Sequence, residues 1–240
     1  MTTKSHVKSG VARPALSRKG GEVPGSNPPT PTVSTQTFSI SEAIQFGWQI
    51  TKRNFWFFIG LFIAVFAIMM APAILAVLIQ ERLPFLSIIF NLGSWVLQVA
   101  FQMGMINITL KFCSEAQPRF SDLFYFSNFL SYFLASLLFA LIVLGGMFLL
   151  IIPGIIWAIQ FQFFSYAIVD KNLGCIDALK KSSTLTKGHK WKLCLFSLMC
   201  ILLNFLGMLA LIVGLSLTIP ITMMATAHVY RKLESFLTAT

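Results

Sequence analysis

The sequence predicts an all-α integral membrane protein: six transmembrane helices forming three helical hairpins, each preceded by a short interfacial helix, with both termini cytoplasmic. Three observations predict it. Only 11% of the 240 residues are charged, against about 25% in an average soluble domain, and the mean hydropathy is +0.79. The charges fall in clusters that leave four uncharged runs, 54–80, 83–110, 123–169 and 193–230. The basic residues then gather on one side of the topology those runs imply.

A bilayer core about 30 Å thick takes about 20 helical residues at about 1.5 Å rise each. The first two runs, 54–80 and 83–110, each fit one tilted crossing. The third and fourth, 123–169 and 193–230, are too long for a single crossing and fit two apiece. Residues that interrupt or bend helices lie near the middle of both: Gly145-Gly146 and Pro153-Gly154 in one, Gly214 and Pro220 in the other. Helices are expected at about 55–80, 85–110, 129–150, 153–170, 191–213 and 216–232, with Pro153, Gly154, Gly214 and Pro220 as hinges. The competing arrangement makes one long run a re-entrant pair of half-helices.

Charge sidedness favours six crossings. The chain carries 18 Lys+Arg and 8 Asp+Glu, a net charge of +10. With six helices, 17 of the 18 basic residues share a side or its helix edges, and only Arg82 lies opposite. Basic residues in short loops and near span ends favour the cytoplasmic side. Lys52, Arg53, Lys111, Lys171, Lys187, Lys190, Lys192, Arg231 and Lys232 all qualify. The excess therefore marks orientation and contact with anionic lipid headgroups, not nucleic acid. The expected location is the bacterial cytoplasmic (inner) membrane.

Residues 1–37 contain no Phe, Trp or Tyr, one Leu and five of the ten prolines. Such a segment cannot bury a core, so a disordered basic cytoplasmic tail is expected. It lacks the apolar stretch of a signal peptide. The membrane domain is expected over 38–235, with 236–240 as a C-terminal tail.

Three short segments precede the first, third and fifth spans. Ser39-Ile40-Ser41-Glu42 offers a capping box; Ser121-Asp122 opens a cluster with Phe120, Leu123, Phe124 and Phe126; Asn172 to Gly188 carries Ile176, Leu179 and Lys180-Lys181. Aromatic and apolar residues beside Lys and Arg at a span entrance suit a helix lying in the interface; the simpler possibility is that they lengthen the spans by a turn or two. The first and third segments match at one constant offset: Glu42-Ala43-Ile44 with Asp177-Ala178-Leu179, Ile50-Thr51-Lys52 with Leu185-Thr186-Lys187, and Trp56 with Trp191. Internal repeats occur in transporters and in duplicated scaffolds alike.

Leu150-Ile151-Ile152-Pro153-Gly154-Ile155, then Tyr166-Ala167-Ile168-Val169-Asp170, Leu185-Thr186-Lys187-Gly188-His189-Lys190-Trp191 and Thr218-Ile219-Pro220 form a recognisable pattern. Over roughly 38–235 the chain resembles an uncharacterised bacterial multi-pass membrane-protein family related to YciC-like inner-membrane proteins and to the membrane-anchor domain of glycerophosphoryl-diester phosphodiesterases. That resemblance implies about six helices in the bacterial inner membrane and carries no catalytic residue onto this chain.

The three histidines, His6, His189 and His228, have no Cys, His or carboxylate at metal-ligand spacing. All eight acids fall outside the uncharged runs, so acid–base chemistry within the membrane has no donor. No catalytic, cofactor or metal site is expected. At membrane depth stand only neutral polar groups: Asn91, Gln98, Gln102, Asn107, Gln160, Gln162 and Asn204. Such groups hydrogen-bond between helices for about 0.6 kcal/mol each, or line a polar cavity; Gln98, Gln102 and Asn107 fall close to one stripe. Small-residue pairs such as Gly60/Ala64 and Ala210/Gly214 suit close packing within the chain, a homo-oligomer or a partner membrane protein. Lys52, Arg53, Lys180, Lys181, Lys187, Lys190 and Lys192 are the basic interfacial positions. Two functional classes follow. One is a non-enzymatic envelope or membrane scaffold that interacts with lipids; the other is a transporter or channel for a small or lipid-like solute.

Overall fold

The computed structural model describes residues 38–80, 84–114 and 116–238. The expectations for the tail 1–37 and for Arg82 lie outside them. The described residues form helices α1 (Ile40–Arg53), α2 (Phe55–Gln80), α3 (Pro84–Cys113), α4 (Phe129–Leu149), α5 (Ile151–Phe161), α6 (Phe164–Lys171), α7 (Cys175–Thr186), α8 (Lys190–Leu209) and α9 (Leu211–Thr238), with one 3-10 turn at Phe120–Phe124. No strand occurs among them.

Among the described residues, five helical segments are long and apolar enough to cross a membrane: Phe55–Ile79, Phe85–Cys113, Phe129–Leu149, Ile151–Lys171 and Lys190–Leu209. Their large apolar side chains face outward, Phe148 being 93% and Leu149 74% exposed. In water that surface would be costly at about 25 cal/mol per Å2; against lipid tails it carries no such cost. The sixth expected span falls in α9, which is not among the five. Ser216, Thr218, Thr222, Thr226 and His228 dilute its apolar content, and Arg231, Lys232 and Glu234 lie in its last third. Helix α9 runs on to Thr238, so 236–238 are helical, where a tail was expected.

α2 packs along α3, α4 along α5, and α8 along α9. α1 and α7 are helices in their own right and do not simply lengthen the spans that follow. Asn54 separates α1 from α2, its side-chain amide donating to the Ile50 carbonyl at 3.0 Å. Lys187, Gly188 and His189 separate α7 from α8. The buried faces of the two correspond: Ala43 and Thr51 on α1, Ala178 and Thr186 on α7. α1 packs against α9 through Gly47, where any Cβ would run into the backbone of Ile221. α7 packs against α5 and α6. The second expected interfacial helix is only the five-residue 3-10 turn, which packs on α3; the Asp122 carboxylate accepts from the Arg119 amide at 2.8 Å and from Lys111.

The expected hinges stand elsewhere in the helices. The α4–α5 turn lies at Leu150, in extended conformation, and Pro153 occupies the first turn of α5, where a missing N–H costs nothing. Gly154 packs backbone to backbone against Met147 of α4, and Gly214 packs against Gly207 of α8. Both glycines therefore let consecutive helices approach closely. Pro220 lies inside a continuous α9, and the α8–α9 turn is at Ala210. The fourth span is broken instead at Gln162 and Phe163, between α5 and α6, where the sequence has neither Gly nor Pro. Hydroxyls from α7 take the freed backbone groups: Phe163 N–H donates to Ser182 Oγ at 3.1 Å, while Ser182 and Thr186 hydroxyls donate to the Gln160 carbonyl at 3.0 and 3.2 Å.

Candidate functional site

Five of the seven neutral polar positions are engaged inside the protein. Asn91 donates to the Ser87 carbonyl one turn back at 2.8 Å. Asn107 donates to the Asp122 carbonyl at 3.4 Å, fastening the 3-10 turn to α3. Gln160 donates to Ser183 at 2.8 Å and accepts from Lys190 Nζ at 2.7 Å. Gln162 accepts from the Ser197 hydroxyl at 3.1 Å, and Asn204 donates to Thr222 at 3.3 Å across the α8–α9 pair. These are bonds between and within helices, the first of the two roles open to them.

Gln98 and Gln102 differ. Both line a cavity of about 810 Å3 walled by α2, α3 and α9. Phe58 and Phe62 come from α2, Trp95 and Phe101 from α3, Pro220 and Met223 from α9. Among the described residues, no charged side chain lines it. Gln98 and Gln102 are one turn apart on α3 and so share a face, whereas Asn107 turns away to the 3-10 element.

The basic positions divide in the same way. Lys181 pairs with Glu234 at 3.4 Å and Lys190 with the Gln160 amide. Lys52, Arg53, Lys180, Lys187 and Lys192 meet no acid among the described residues. Lys52 and Arg53 join Trp48, Phe55 and Trp56 around a recess of about 440 Å3 at the α1–α2 junction. At the α7–α8 junction, Lys190 and Trp191 border a second recess of about 430 Å3, whose floor is Ile152, Ile155, Ile156 and Ile159 of α5. Trp56 is 82% and Trp191 88% exposed, and both stand at the second position of their helix. Large rings left outside the protein beside cations are what a headgroup layer accommodates.

A cluster that the sequence did not single out lies where α6, α7 and α9 meet. Asp170 accepts from Arg231 at 2.7 Å and from the Tyr230 hydroxyl at 3.2 Å. Glu234 takes Lys171 at 3.2 Å, Lys181 at 3.4 Å and Arg231 at 3.5 Å. Asp170 was visible as the close of the Tyr166-to-Asp170 motif, but its partner Arg231 lies 61 residues on, beyond the reach of local spacing. With both acids committed to cations, the cluster fastens elements together. Among the described residues no three His, Cys, Asp or Glu side chains gather to hold a metal ion. Burial pushes the Cys175 thiol up, away from the reactive thiolate.

No curated protein and no solved structure matches the chain significantly, and no link to the YciC-like proteins or to the phosphodiesterase anchor domain is shown. One family does match, over residues 87–237, from α3 through most of α9. The chain belongs to that family, described as a domain of unknown function (DUF7847).

Proposed function

We propose that this protein is a non-enzymatic lipid-interacting factor or scaffold of the bacterial cytoplasmic membrane, holding anionic headgroups at its basic cytoplasmic face. The observation that carries this reading is the likeness of two junctions. α1 and α2 begin at Ile40 and Phe55, α7 and α8 at Cys175 and Lys190, so the two helix pairs start with the same spacing. Each junction combines uncompensated Lys or Arg, an exposed Trp and an apolar recess. A phospholipid asks for that combination: cations for its phosphate, a ring at ester level and an apolar slot for a chain. Each surface-held cation contributes about 1 kcal/mol toward anionic lipid.

Six spans with both termini cytoplasmic complete the reading, α9 supplying the sixth. The elements then form three units, each entered by a short element that rests on the previous unit's last helix. The 3-10 turn rests on α3, α7 on α5 and α6, and α1 on α9, which closes the ring. The YciC-like kinship implied by the motifs belongs to the same proposal.

The test is native mass spectrometry of the full chain extracted gently from membranes containing phosphatidylglycerol and phosphatidylethanolamine. Retained phosphatidylglycerol should exceed its share of the membrane. Exchanging Lys52, Arg53, Lys187 and Lys192 together for Gln should return it to that share. Retention that ignores headgroup charge, or survives the exchange, overturns the proposal.

A further inference from the structure

We propose that the cavity between α2, α3 and α9 binds one uncharged single-chain lipid whose head carries hydroxyl and carbonyl groups, held by the amides of Gln98 and Gln102. Of seven neutral polar side chains at membrane depth, these two alone have no hydrogen-bond partner among the described residues. Both line the same cavity. Both side chains are exposed rather than buried, so their donors and acceptors stand open to a ligand seated in the cavity. Two such amides in succession on one helix face call for a partner.

The wall defines that partner. With no charged side chain among the described residues lining the cavity, a carboxylate or phosphate inside would meet no counterion from them, which favours a neutral head. Each Gln amide donates two hydrogen bonds and accepts through its oxygen. The pair therefore satisfies a head that mixes hydroxyls with a carbonyl better than one offering acceptors alone. The remaining lining is aromatic and aliphatic, with Met69, Met105 and Met223 adding side chains that adapt to a flexible chain. At about 30 Å3 per water-sized group, the cavity of about 810 Å3 holds roughly 27 such groups. A monoacylglycerol with an 18-carbon chain has about 25 non-hydrogen atoms, which fits that volume. This site is distinct from the basic junctions and does not depend on them.

The probes are monoolein, oleate at alkaline pH and methyl oleate, titrated against the full chain in detergent and followed by native mass spectrometry. Monoolein should bind one to one, more tightly than methyl oleate, which lacks the hydroxyls, and oleate anion should bind weakest. Gln98→Leu with Gln102→Leu should weaken monoolein about tenfold or more and leave methyl oleate nearly unchanged. Met223→Trp keeps both amides but fills the volume, and should abolish the adduct even if the double variant fails to fold. The proposal falls if wild-type protein gives no one-to-one monoolein adduct, if the folded double variant binds it equally well, or if oleate binds as tightly. Anionic-lipid retention is read separately, so failure here and failure of the proposed function are told apart.

Discussion

Lys232 Nζ stands 2.6 Å from Glu42 Oε2, across 190 residues of chain. The pair joins the first turn of α1 to the last third of α9. The Lys232 hydrogen bond and charge hold the Glu42 carboxyl below its usual value of 4.5. A lowered folded-state value means the pair stabilises fully above pH 4.5 and loses that contribution as pH falls through the lowered value. Glu42→Gln should therefore melt below wild type at neutral pH and converge with it under acid. The pair is exposed enough for salt to screen it, so 1 M NaCl, with a Debye length of about 3 Å, should narrow the neutral gap. A gap that persists unchanged into acid would show that Glu42 acts through something other than its charge.

The same helix pair depends on Gly47. A side chain there would meet the Ile221 carbonyl and the Ala225 amide, both backbone and unable to swing aside. Gly47→Leu should destabilise the protein by about 1–3 kcal/mol through overpacking. Gly93, with open space around its Cβ position, is the matched control; Gly93→Leu should leave the unfolding midpoint near wild type. Equal effects at the two sites would remove close approach as the reason for Gly47.

Ser182 tests how α7 holds the broken fourth span. Fully buried, it accepts from the Phe163 amide and donates to the Gln160 carbonyl. Ser182→Ala strands the Phe163 amide, leaves the Gln160 carbonyl to Thr186 alone, and should cost about 1–3 kcal/mol. Ser183 bonds only the Gln160 side chain and is half-buried, so Ser183→Ala should cost less, about 1 kcal/mol. Thermal unfolding in detergent ranks the two, and a larger loss at Ser183 would contradict the account.

These cases show what the sequence could reveal and why the rest was hidden. Uncharged runs mark apolar segments, so α2, α3, α4 and α8 stand within a few residues of their expected bounds. Breaks and partners depend on groups distant in sequence. Nothing near Gln162 announces a break, because the hydroxyls that stabilise it arrive from Ser182 and Thr186. Ser39 and Glu42 spell a capping box, and Ser39 Oγ does accept from the Glu42 amide at 3.5 Å. The Glu42 carboxylate goes to Lys232 instead, since a lysine 190 residues away outcompetes the local bond. Gln98 and Gln102 were legible as candidates, but their isolation was not. It emerges only once each of the other five amides is seen to hold at least one bond.

Orientation is the remaining prediction, and it rests on charge alone. The polar end of the bundle gathers Glu42, Lys111, Asp122, Asp170, Lys171, Arg231, Lys232 and Glu234 through direct contacts. Translocating that end would carry many Lys and Arg across the bilayer, which the insertion machinery resists in short loops. Residues 81–83 include one basic residue, Arg82, and one acid, Glu81. A reporter fused after Thr240 should therefore be active only in the cytoplasm, and one inserted at 81–83 only outside. Inserting four lysines between Arg82 and Leu83 should weaken this preference and yield mixed topology, because the added positive charge then competes for the same side. A Thr240 reporter exposed outside the cell would reverse the orientation, and with it the side on which the basic junctions meet lipid.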